Sequence, residues 1–213
     1  MNHMPSINRR AFVIGSAAVG TGLALGLDIP FGGPTVVRAA DGSPEVNCWV
    51  VIRPDDTVII RIARSEMGQG TLTGLAQLVA EELECDWSKV TTEYPTPGQS
   101  VARKRVWGDF STGGSRGIRT SQEYVRKGGA TARMMLIQAA ANEWKVPAAE
   151  CTAANSVITH APSGRTVTYG KVVEAAARLT QPTEVKLKDP KDWKLVGKGV
   201  KRLDTTDKTT GKM

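Results

Sequence analysis

Residues 65–85 read SEMGQGTLTGLAQLVAEELEC. Leu72, Leu75, Ala76, Val79, Ala80 and Leu83 recur there at helical spacing, which predicts a helix over residues 71–84. Immediately before it lies a short crest, Gly68-Gln69-Gly70. A second crest, WGDFSTGGSRGIRTS at 107–121, precedes a long Ala-rich helical pattern over 118–146 that Pro147 ends. Gly128-Gly129 lies inside that pattern and reads either as a close approach of another backbone or as a kink.

Around these two units the chain reads as short strands. VNCWVVIRPDDTVIIRIA at 46–63 is two β-branched runs separated by Pro54-Asp55-Asp56, a β-hairpin pattern. KVTTEYP at 89–95 reads as a strand running into a polar loop, and 150–170 as short strands around the Ser163-Gly164 turn. KVVEAAARL at 171–179 supplies a last helix. The expected class is α+β, with a β-hairpin and short strands packed against two main helices. From Thr180 onward the text turns rich in Lys, Asp, Thr and Pro and reads as an extended linker over 181–213.

The 213 residues carry a formal charge of +7, but the excess sits at the ends. Residues 41–181 balance 16 basic against 15 acidic side chains, while 182–213 hold nine Lys/Arg and five acids. A near-neutral body with basic ends is not the footprint of a nucleic-acid-binding domain. Cys48, Cys85 and Cys151 are scattered and form neither a disulfide framework nor a zinc or iron–sulfur ligand set. With His3 and His160 as the only histidines, no His-based triad or metal site is expected.

Residues 1–40 have the features of an export signal. Arg9-Arg10 precedes an apolar Gly/Ala-rich run from Ala11 to Leu27, and Val37-Arg38-Ala39 precedes the expected mature start. Paired arginines followed by Phe12 resemble a twin-arginine signal, which implies periplasmic delivery of a folded, cofactor-loaded protein.

The crests suit a ligand. Helix N-termini leave N–H groups unpaired and attract anions, glycine admits a ligand close to the backbone, and hydroxyls add donors. Ser111, Thr112, Gly113, Gly114 and Ser115 fit a phosphate cradle. Gln69, whose amide donates and accepts, suits the edge of a heterocycle. Taken singly, neither crest is diagnostic, since Ser and Thr before a helix serve as N-caps and neither loop matches GxxxxGK[ST] or GxGxxG.

In combination, the order hairpin, EMGQG, helix, EYP, WGDFSTGGS, long helix, LVGKGVKRLDTTDKTTGK resembles the molybdopterin-binding subunit of the xanthine dehydrogenase and aldehyde oxidase family. More closely, it is similar to the periplasmic branch typified by isoquinoline 1-oxidoreductase beta subunits and membrane-bound aldehyde dehydrogenase large subunits. The resemblance implies that residues 41–180 are the N-terminal part of a larger molybdenum-cofactor-binding domain and that 181–213 lead toward a hammerhead-type domain. It implies molybdopterin cytosine dinucleotide as cofactor, contacted by Gly68, Gln69 and Gly70, with Ser111, Thr112, Gly113, Gly114 and Ser115 at its phosphates.

The implied chemistry is oxidation of aldehydes or N-heterocycles with oxygen from water. Electrons would pass to iron–sulfur clusters on a small partner subunit and onward to a cytochrome c subunit. The family's catalytic glutamate lies in a later segment with no counterpart here, so the expectation is an N-terminal segment inactive by itself, completed by a second chain or by the rest of a longer one. A non-catalytic periplasmic interaction or assembly subunit, and a binding domain for a phosphorylated compound, are the alternative readings.

Overall fold

The computed structural model describes residues 36–212; the expected export signal falls almost entirely outside them. The first β-branched run divides where the hairpin reading had it continuous. Asn47 turns the chain by accepting hydrogen bonds on its side-chain oxygen from the N–H groups of Trp49 and Val50, at 2.9 and 3.1 Å. The run therefore becomes β1 (Glu45–Asn47) and β2 (Val50–Ile52), which pair antiparallel. β2 pairs antiparallel with β3 (Val58–Arg61) across the expected Pro54-Asp55-Asp56 turn. β2 and β3 are buried throughout, as their unbroken aliphatic sequence requires.

Helix α1 (Thr71–Leu83) then crosses over the sheet and returns the chain as β4 (Val90–Glu93), parallel to β3. A parallel neighbour needs such a crossover, and α1 is it. The polar loop expected after Pro95 is instead α2 (Pro97–Ala102). Thr96 and Gln99 form a reciprocal capping box there, with Pro97 at the first helical position.

The second crest does not run straight into the long helix. A single turn, α3 (Arg116–Arg119), comes first, and α4 (Gln122–Trp144) begins after Ser121. α4 is continuous through Gly128-Gly129, which settles the two readings of that pair in favour of close approach. A Cβ on Gly129 would stand 2.4 Å from the Val79 carbonyl oxygen of α1, and one on Gly128 would stand 2.7 Å from the Trp49 ring. The two main helices thus touch backbone to backbone, with Leu75, Val79, Leu83, Leu136 and Ala140 in the shared core.

The strands β5 (Cys151–Ala154), β6 (Val157–His160) and β7 (Arg165–Thr168) form a separate antiparallel meander, followed by α5 (Tyr169–Ala176). His160, expected in a polar turn, is buried at the end of β6, where its ring nitrogens meet Ser163 and Glu150. Tyr169 is fully buried and donates to the Leu83 carbonyl at 2.7 Å, which fastens this layer to the end of α1.

Residues 180–204 contain no strand and only one 3₁₀ turn, yet they are fastened along α1. The buried Glu81 carboxylate accepts from the N–H groups of Lys194, Leu195 and Val196, and Glu82 accepts from that of Lys188. The basic side chain of Lys188 reaches Glu81 and Glu84 at 2.6 Å. Burial raises the Glu81 carboxyl, but the Lys188 contact and the amides of Leu195 and Val196 outweigh it and leave the group lowered. This C-terminal strap ends in the single-turn α6 (Thr205–Thr209).

Candidate functional site

The first crest leads directly into α1. Its helix has no side-chain N-cap of the usual kind, because Gly70 occupies the cap position in the left-handed region. Glu66 takes over the task from four residues upstream. Its carboxylate accepts hydrogen bonds from the N–H groups of Gly68 (2.8 Å), Gly70 (3.0 Å) and Leu72 (3.0 Å). The chain thus supplies its own anion to the N-terminus of α1, where the sequence alone suggested a free anion site. Burial raises the Glu66 carboxyl, and the three amides together with Arg202 outweigh that and hold it below the usual carboxylate range.

Wrapping a loop around one carboxylate requires positive φ at Gly68 (103°) and Gly70 (84°), which side chains with a Cβ rarely adopt. Gln69 lies at the exposed tip. Its amide oxygen accepts from the Met67 N–H at 2.6 Å and its amide nitrogen donates to the Ser65 carbonyl at 2.8 Å. Half of the donor and acceptor capacity assigned to Gln69 is therefore spent on shaping its own loop, leaving one N–H and one lone pair for a ligand.

The second crest lies beside the first. The Ser65 N–H donates to Thr112 Oγ1 at 3.0 Å, a direct bond between the two loops. Arg64, with a side chain 7% exposed, holds the junction: it donates to the Ser111 carbonyl, to Ser121 Oγ at 3.0 Å and to the Asp109 carboxylate. A Cβ on Gly117 would strike Thr71 Oγ1 at 2.7 Å, so α3 packs directly on the start of α1.

Arginines also claim the carbonyls of the second crest. Arg116 donates to the Gly113 carbonyl at 3.0 Å and to Ser111 Oγ, and Arg119 donates to the Gly114 carbonyl at 3.1 Å. Among the described residues, nothing accepts from the N–H groups of Gly113 and Gly114. With the carbonyls of Ser111, Gly113 and Gly114 occupied by guanidinium groups, those N–H groups and the Ser115 hydroxyl keep their donors free, and the Thr112 hydroxyl, which accepts from Ser65, keeps its proton to donate. Such a loop presents donors and positive charge, which suits the phosphates of a nucleotide-bearing cofactor.

All eight residues singled out in the sequence, Gly68 to Gly70 and Ser111 to Ser115, therefore lie on two adjoining loops. Five residues of this constellation were not read from the sequence. Arg116 and Arg119 follow the crest at helical spacing and were legible as a basic face. Arg64 and Glu66 flank the first crest without a motif of their own. Arg202 reaches Glu66 and Gly68 across more than 130 residues of chain, and nothing in the segment LVGKGVKRLDTTDKTTGK that contains it pointed to the first crest.

Two glycine-rich loops joined at a helix crossover, one built to hold an anion, define a cofactor-binding module. The model of the molybdopterin cofactor-binding domain matches residues 7–212, and the chain belongs to that family. It is 30% identical to the membrane-bound aldehyde dehydrogenase [pyrroloquinoline-quinone] of Gluconacetobacter polyoxogenes, over 97% of this chain and 27% of that protein. It is 28% identical to the beta subunit of the isoquinoline 1-oxidoreductase of Brevundimonas diminuta, over 96% of this chain and 31% of the relative. Similarity to a nicotinate dehydrogenase subunit of Pseudomonas putida is 27% identity over 100% of this chain and 17% of the relative. The chain thus spans less than a third of the length of these relatives.

Proposed function

We propose that this chain is the N-terminal cofactor-binding part of a periplasmic molybdenum hydroxylase acting on aldehydes or N-heterocycles. Gly68, Gln69 and Gly70 meet the pterin edge of molybdopterin cytosine dinucleotide, and Ser111, Thr112, Gly113, Gly114 and Ser115 take its phosphates. The observation that carries the reading is the bond between the crests, Ser65 N–H to Thr112 Oγ1, which brings both motifs into one cradle.

The free N–H groups of Gly113 and Gly114 in the second crest and the Cβ-free Gly68 and Gly70 of the first fit such a ligand, and Arg116 and Arg119 join the assigned set. The cofactor supplies the redox chemistry. The residues of this chain bind and orient it: Gln69 through its remaining amide N–H and lone pair, the second crest through N–H groups, hydroxyls and positive charge. The partners this reading implies are a small subunit carrying iron–sulfur clusters, which would take up the electrons, and a cytochrome c subunit beyond it. Arg9-Arg10 directs export by the twin-arginine route, so Arg9-Arg10→Lys-Lys holds the protein in the cytoplasm.

The test is Gln69→Ala in the assembled enzyme, read as molybdenum content and as cytidine monophosphate released by acid. Gln69 is exposed, and water replaces its two loop bonds, so folding stability falls by at most about 1 kcal/mol. Occupancy falls by a larger factor. Equal loss of stability and occupancy defeats the assignment.

A further inference from the structure

The strap does more than cover α1, because its last turn reaches the first crest. Arg202 donates from Nη1 to the Gly68 carbonyl and from Nη2 to Glu66, both at 2.9 Å. The same guanidinium makes a two-point contact with Asp204, Nε to Oδ1 at 3.0 Å and Nη2 to Oδ2 at 2.9 Å. Lys208 completes the group at 2.6 Å from Asp204 and 3.9 Å from Glu66. Beside it, the Leu203 N–H donates to Thr73 Oγ1 at 3.0 Å.

Glu66 and Asp204 are almost fully buried, so two carboxylates share one pocket and need both cations. Glu66 in turn fixes the Gly68 and Gly70 amides, so the shape of the loop depends on the charge balance that the strap supplies. Only a planar fork reaches Gly68, Glu66 and Asp204 at once, and a lysine head in the same place cannot.

We infer that Arg202 is a positioning residue for the Gly68–Gly70 loop, acting through Glu66 and the Gly68 carbonyl, so that docking of the strap sets the loop in its cofactor-receiving form. The inference rests on the cofactor reading of that loop. It also separates two anchors of the strap. The Gln77 amide nitrogen donates to the Leu195 and Lys198 carbonyls at 2.7 and 3.1 Å, well away from the crest, and serves only to hold the strap down.

The experiment compares Arg202→Met, Arg202→Lys and Gln77→Ala in the assembled enzyme. It reads amide hydrogen exchange over residues 66–72, molybdenum content, acid-released cytidine monophosphate and thermal midpoint. Arg202→Met is expected to speed exchange at Gly68 and Gly70 by about tenfold or more and to lower occupancy severalfold, with Arg202→Lys between it and the wild type. Gln77→Ala is expected to keep both within about twofold while lowering the thermal midpoint.

Equal loss of occupancy in Gln77→Ala and Arg202→Met, or unchanged exchange in Arg202→Met, overturns the inference. If Arg202→Met does not fold, Arg202→Lys carries the same comparison. Assembled wild-type enzyme lacking molybdenum and cytidine monophosphate defeats the cofactor reading, and exchange then decides alone: a change confined to residues 66–72 sustains the brace, and a diffuse change or none removes it.

Discussion

Gly129→Ala tests the contact on which both crests depend. α1 carries the first loop at its N-terminal end and α4 follows the second loop through α3, and the spacing of α1 and α4 is set where Gly129 meets the Val79 carbonyl. A Cβ there stands 2.4 Å from that oxygen and 3.1 Å from the Glu82 Cβ. Contacts of this kind settle at about 3 Å or more, so the helices must part by roughly 0.6 Å or α4 must bend.

Overpacking of that order costs about 1–3 kcal/mol, and opening the interface weakens the dispersion contacts of Leu75, Val79 and Leu136 as well. Against this stands a helix-propensity gain of about 1 kcal/mol for replacing glycine by alanine inside a helix. The net expectation is a loss of about 1–2 kcal/mol, or some 2–8 °C in thermal midpoint for a chain of this size. Urea midpoints of wild type and variant, with slopes compared, measure it. A second readout is the protease sensitivity of residues 109–116, which rises as α4 shifts. A Gly129→Ala protein as stable as the wild type, or more stable, would refute the close-packing argument, because propensity alone would then have decided the outcome.

The remaining predictions concern charge. Arg64→Ala removes the guanidinium brace beside the Ser65–Thr112 bond and leaves the Ser111 carbonyl without its guanidinium partner; a loss of about 2 kcal/mol is expected in urea unfolding, with new cleavage in the second crest and only partial recovery in Arg64→Lys. Glu66 and Glu81 both have carboxyls lowered in the folded chain, so their contribution to stability is complete above the unfolded value near 4.5 and is lost as pH falls through the lower folded values. Urea midpoints between pH 7 and pH 3 should therefore hold level and then drop below pH 4.5. Glu66→Gln should be less stable at pH 7 and show a shallower acid limb. An acid limb unchanged by that substitution would remove Glu66 from the account.

Much of this protein was written in local pattern. The apolar spacing of Leu72 to Leu83 and the Ala-rich run ending at Pro147 determined the two main helices, and β-branched runs around Pro54-Asp55-Asp56 determined the hairpin. Both loops of the candidate site could be singled out only through their order along the chain, since Gly, Ser and Thr before a helix are by themselves ordinary caps. The helix and hairpin signals act between residues a few positions apart, where backbone preference and periodicity suffice. Tertiary structure decided what lay farther apart. It placed β4 parallel to β3 and joined Ser65 to Thr112. It turned the Lys- and Pro-rich tail into a strap by matching its backbone donors to Glu81 and Glu82. It also delivered Arg202 to Gly68 across 134 positions. None of these pairings has a fixed spacing, because a buried carboxylate needs donors and positive charge from whichever segment the fold brings near, and only the folded chain determines which segment that is.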